Sequence, residues 1–199
     1  MKWLKIQYNS PVVLTFAILS FLALLLGYVT HGRSTTLFFC VYRSSFTDPF
    51  TYVRLFGHVL GHASLEHYAN NMMLILLLGP ILEEKYGSRK LLVMMAVTAF
   101  VTGLINVLFF QNALLGASGI VFMMIILSSM VSLKAGRIPL TLIIVVVVFL
   151  GQEMVAGLTV QDNISQLTHI IGGICGGAFG ALICKERNTD KTSTQGPAR

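Results

Sequence analysis

Two side chains in this 199-residue chain are suited to acyl-transfer chemistry: the serine of Gly116-Ala117-Ser118-Gly119 and the histidine His169. A serine hydroxyl is a weak nucleophile at neutral pH. An imidazole within hydrogen-bond reach takes its proton and later returns it to a leaving amine. His67 and Asn71, four residues apart, share a helix face, and both side chains can donate to the oxyanion of a tetrahedral intermediate. A well-placed donor of that kind is worth about 3–4 kcal/mol, and the backbone N–H of Ser118 adds another. Glu153 and Asp162 fall in or near the connection that precedes His169. With no third carboxylate evident beside the pair, a Ser118–His169 dyad is the simpler reading.

Each residue also has a plainer reading. A serine in an apolar helix commonly bonds its own backbone, and an interior histidine can be a satisfied core group or a proton relay. Gly172, Gly176 and Gly180 recur every four residues, the small-xxx-small pattern by which apolar helices approach closely; His169 is seven residues from Gly176 and lies nearly above it. Such a helix aims His169 at its neighbour. His58 and His62, at i and i+4, have the spacing of a metal pair, but no nearby Cys or Asp joins them, so no metal and no cofactor are expected. The three cysteines, Cys40, Cys175 and Cys184, are an odd number with no CxxC; Cys175 and Cys184 read as helix-packing residues rather than a disulfide.

The elements that must hold these side chains are membrane helices. The chain is 55% apolar and 11% charged, with a mean hydropathy of +0.77, against about a quarter charged in a soluble domain. Runs fit for a bilayer core of about 30 Å are Val12–Val29, Tyr68–Leu82, Leu91–Phe110, Leu114–Leu133, Ile138–Leu150 and Ile164–Cys184. The second reaches full length if it begins near Gly57, and the fifth if it runs to Leu158. None alternates with period two, which excludes a transmembrane barrel. The expected fold is an all-α membrane protein with a six-helix bundle. The first run, preceded by Lys2 and Lys5, lacks a small-x-small cleavage site and reads as a retained helix.

Charge placement orients the bundle. Eleven of the 14 basic residues, among them Lys2, Lys5, Lys85, Arg89, Lys90, Lys134 and Arg137, fall at the ends that become cytoplasmic if the N-terminus is inside; Arg33, Arg43 and Arg54 fall outside. Both termini are therefore expected in the cytoplasm, and the net charge of +6 records topology rather than a nucleic-acid partner. The organisation expected is a cytoplasmic N-terminus over 1–11, a membrane domain over 12–184 and a disordered cytoplasmic tail over 185–199. The membrane domain includes an outer loop at about 30–56, either functional or a small interfacial substructure. In this orientation Asp162 and Asn163 mark the outer start of the sixth run, and His169 lies roughly 10 Å below it. Ser118, His67 and Asn71 come to a similar level. No internal repeat supports an inverted-repeat transporter.

At this point the sequence resembles the rhomboid family of intramembrane serine proteases. The resemblance rests on Gly116-Ala117-Ser118-Gly119 for the family's GxSG, His67 to Asn71 for its HxxxN, and His169, Gly172 and Gly176 for its sixth-helix histidine and glycines. Arg54, His58 and His62, and Glu83 with Gly87 and Ser88, are further matches, and together they cover roughly Tyr52–Ile183. The resemblance implies a six-helix bundle with a water-filled cavity open to the outer face, Ser118 as nucleophile and His169 as base and acid. It also implies an oxyanion hole of His67, Asn71 and the Ser118 N–H, no metal, and cleavage of single-span transmembrane substrates near their outer ends. Phe122 stands where the family has an aromatic packed on the catalytic histidine. Two positions depart from the pattern: Val53 replaces a tryptophan beside Arg54, and Thr168 replaces a small residue, which would crowd the sixth helix against the fourth. The rival readings are a non-catalytic protein of the same fold that binds transmembrane helices, and a small transporter or channel. A bacterial plasma membrane is the expected location.

Overall fold

A computed structural model describes residues 8–133, 140, 143, 144, 147, 148, 151 and 168–182. Pro11 opens the first helix, α1 (Pro11–Val29), where a fixed φ and a missing N–H cost nothing. The next two N–H groups, on Val12 and Val13, donate to the Glu83 carboxylate at 3.0 and 3.1 Å. The helix stops where His31 and Gly32 take positive φ. Two short helices follow, α2 (Arg33–Phe38) and α3 (Pro49–Gly57). The long connection thus carries two short helices of its own. A 3₁₀ turn over His58–Leu60 leads to α4 (Leu65–Tyr86), then α5 (Ser88–Phe109) and α6 (Ser118–Leu133). The last described helix is α7 (Thr168–Leu182). No strand occurs among the described residues.

Two helix starts differ from the apolar pattern. The second long helix begins at Leu65, not near Gly57, because Gly61 is extended and Ser64 caps the helix by accepting from the His67 N–H at 3.1 Å. Its length comes from the other end, through Tyr86. His58 and His62 therefore do not share a helix, and the i, i+4 metal spacing dissolves. The fourth apolar run begins with Leu114, but its helix starts only at Ser118. Leu114 is held outside it by exchanging backbone hydrogen bonds with Val41, at 2.9 and 2.7 Å. The expected fifth run and Glu153, Asp162, Asn163, Cys184 and the tail lie largely or wholly outside the described residues; within that run Leu140, Ile143, Ile144, Val147, Val148 and Gly151 are helical.

Helix α1 and helix α5 are each long and apolar enough to cross a membrane, while α6 up to Ser129 and α7 are shorter apolar helices. Large side chains such as Ile18, Leu22 and Leu25 on α1 and Leu92 and Val93 on α5 face outward, as lipid contact requires. Helix α6 is the central one. Ile120, Val121, Met123, Met124 and Leu127 have no exposed surface, and a helix buried on every face is one that others surround. Helices α4 and α5 pack on it directly.

At the opposite end from Ser118, Glu83 ties three helices together. Besides the two α1 amides, its carboxylate accepts the Ser88 hydroxyl at 2.7 Å, and it is buried. Charged hydrogen bonds of this type contribute about 1.5–3 kcal/mol each, and removing the acceptor orphans buried donors. Glu83→Ala is accordingly expected to destabilise the bundle by about 3 kcal/mol or more, with Glu83→Gln losing less. Thermal unfolding in detergent micelles measures the difference.

Candidate active site

Ser118 is the first residue of α6. The loop before it is held at three points. Leu114 pairs with Val41, the Gly116 N–H donates to the His58 carbonyl at 2.9 Å, and Asn106 Nδ2 reaches the Val41 and Asn112 carbonyls, both at 3.2 Å. Gly116 adopts φ +127, which side-chain-bearing residues rarely take. A Cβ there would stand 2.8 Å from Cε1 and Nε2 of His67. Gly116 is needed for its backbone shape and also for the room it leaves the His67 ring.

His67 lies in the first turn of α4, and Asn71 one turn later. Asn71 is wholly buried, and its Nδ2 donates to the His67 carbonyl at 2.9 Å. An amide nitrogen carries two protons, so one remains for another acceptor. The buried Oδ1 makes no hydrogen bond among the described residues. On the far side of His67 stands His62, the two rings edge to face with centroids 5.1 Å apart. His62 Nδ1 contacts the Leu60 carbonyl at 3.1 Å, while its Nε2 is buried with no hydrogen-bond partner among the described residues.

His169, the second residue of α7, is seated by α6. Its ring stacks on Phe122 with centroids 4.3 Å apart and planes inclined by 12°. Phe122 is four residues after Ser118, so both lie on one face of α6, the face that receives the imidazole. The backbone approach is set by glycines. A Cβ on Gly172 would overlap the Gly119 carbonyl and stand 3.0 Å from the Gly119 Cα; one on Gly176 would overlap the Met123 carbonyl. Two of the three glycines in the four-residue repeat thus perform the close packing anticipated from the repeat. Thr168 does not force the helices apart: its methyl lies 3.2 Å from where a Cβ on Gly119 would be, in space that Gly119 leaves open. Ser118 and His169 are each 7% exposed.

The candidates therefore gather at one end of α6: His67 against Gly116, Asn71 bonded to His67, and His169 stacked on the Ser118 face. Asn106 and His58 hold the loop before Ser118, a positioning part that their spacing in the sequence does not show. The signal for Asn106 is a buried amide in an otherwise apolar helix. Arg54 is also buried, and without a neighbouring tryptophan it bonds Asp48 and Thr51 and lies 4.6 Å over the Tyr42 ring. Val53 is exposed and takes no part.

Asp48 also caps α3 through the Phe50 N–H. The Arg54 hydrogen bond first, and this amide second, hold its carboxyl below the ordinary value of 3.8. A depressed folded value means that the stabilisation is complete above the unfolded pKa and fades as pH falls through the folded one. Protection from hydrogen exchange across residues 42–57, taken relative to the intrinsic rate at each pH, is expected to fall on acidification below about 4, and Asp48→Asn to remove that dependence.

A comparison with curated proteins finds no match. A family model described as the Rhomboid domain matches residues 49–186, more than half of the chain, from the start of α3 to beyond α7. The helices that carry Ser118, His67, Asn71 and His169 all fall inside that span, and the chain belongs to the rhomboid family.

Proposed function

We propose that this protein is an intramembrane serine endopeptidase acting through a Ser118–His169 dyad. The observation that carries the reading is the stack of His169 on Phe122, one turn from Ser118 on the central helix. The imidazole takes the Ser118 proton as Oγ bonds to the scissile carbonyl carbon. The resulting oxyanion is received by the Asn71 amide, His67 and the Ser118 N–H, the last belonging to a helix N-terminus whose first amides have no intrahelical acceptor. Collapse breaks the C–N bond, and the amine leaves with the proton from His169. Water then repeats the sequence on the acyl-serine, with His169 as base again.

Six spans with both termini in the cytoplasm place this site toward the outer leaflet, as the basic residues suggest. The substrates are single-span membrane proteins whose helices unwind locally, since an intact helix hides its carbonyls in its own hydrogen bonds. A bacterial plasma membrane is the proposed setting. The test is labelling of the folded protein with a fluorophosphonate, together with cleavage of a panel of transmembrane peptides in detergent. Ser118-dependent adduct and cleavage support the protease; a folded protein that binds the peptides but forms no adduct is a helix-binding member instead. Solute flux in liposomes surviving Ser118→Ala would point to the channel reading.

A further inference from the structure

Away from the candidate site, a groove of about 460 Å³ runs between α1 and α5. Its lining is almost entirely apolar, from Pro11 and Ser88 at one end to Leu19 and Ala99 at the other, with Ile120 of α6 among the residues that line it. Leu19 and Leu92 at its edges are exposed, so it opens sideways to whatever surrounds α1 and α5. From Ser88 to Ala99 the groove follows α5 for about 16 Å, close to one leaflet's half of a hydrocarbon core of about 30 Å.

The Ser88 end is also the basic end. Lys85, Arg89 and Lys90 are exposed there, with Glu84 as the exposed acid, and Lys2 and Lys5 precede α1 in the sequence. An apolar trough one leaflet deep, opening at a cluster of cations, matches a glycerophospholipid with a net negative headgroup. We propose that this groove binds one acyl chain of an anionic phospholipid, its headgroup held at Arg89 and Lys90. The inference rests on the protein being embedded in a bilayer and not on its being a protease.

The experiment uses the full chain in detergent with phosphatidylglycerol bearing a diazirine on its acyl chain, photolysed and mapped by peptide mass. Adducts are expected to concentrate on the groove side of α1 and α5, at residues such as Phe16, Leu92 and Met95. Ala96→Phe, which fills the groove, should lose them. At a hundredfold excess over Kd, phosphatidylglycerol should raise the Tm by about 5–10 °C, an effect smaller with phosphatidylcholine and reduced in Arg89→Gln/Lys90→Gln. Adducts spread evenly over outward residues such as Leu22 and Leu25 would overturn the proposal. So would a groove shielded from label by another part of the chain, or an equal Tm rise with either lipid. The mapping and lipid comparison use the unsubstituted protein, so they decide the matter even if Ala96→Phe fails to fold.

Discussion

Ser118→Ala is expected to abolish cleavage of transmembrane peptides, a loss of about 10⁴-fold or more, without altering the Tm. Removing one oxygen from the first residue of α6 leaves the helix and the Phe122–His169 stack in place, and the loss of one hydroxyl without lost packing changes stability by no more than about 1 kcal/mol. His169 needs a more careful replacement. His169→Ala removes the base but also the ring against Phe122, and such an aromatic pair contributes about 0.5–1.5 kcal/mol. His169→Phe keeps an aromatic face there and takes away only the proton acceptor. It is therefore expected to be as inactive as Ser118→Ala and close to the parent in Tm. Cleavage that survives either substitution in a folded protein would rule out the dyad.

The second large effect concerns a residue with no chemistry. Gly172→Ala is expected to cost about 10²-fold in cleavage, because displacement of a reacting group by about 1 Å has that consequence. The added Cβ meets the Gly119 carbonyl, a backbone atom that no rotamer change can move, so α7 must shift away from α6 and carry His169 with it. The neighbouring glycines are controls. Among the described residues, the nearest atom to a new Cβ at Gly173 is Ile126 Cγ1 at 3.6 Å, an ordinary contact, and at Gly177 there is nothing within 4 Å. Gly177→Ala should leave activity unchanged and raise the Tm slightly, since alanine favours a helix over glycine by about 1 kcal/mol. Cleavage and thermal unfolding across the three variants separate helix spacing from mere loss of glycine.

How much of this was legible in the amino-acid sequence differs from element to element. Helix α1 and helix α5 agree with their apolar runs to within a few residues because hydrophobicity alone defines them. The start of α4 departs from the apolar pattern because the stretch around Val59 and Leu60 carries no sign of the extended backbone at Gly61; the decisive signal is the cap, Ser64, ahead of Leu65. The start of α6 departs from it for a different reason. Leu114 is as apolar as a helical residue but is held by a backbone partner far away in the chain, at Val41. Pairing of that kind leaves no mark on composition. Gly172 and Gly176 were readable because close approach demands a particular residue type. Glu83 stood out as a carboxylate near a helix end, yet its three partners lie on two other helices and become visible only in three dimensions.

The Val41–Leu114 bridge uses no side-chain atom. Many substitutions at either position would leave the two hydrogen bonds standing, whereas proline would remove a donor outright. The placement of the residues ahead of Ser118 is thus written partly in peptide groups, which every residue but proline supplies alike. Side chains in this connection are free to vary for other ends, such as shaping what reaches the serine, while the rail on which the serine is mounted stays where it is.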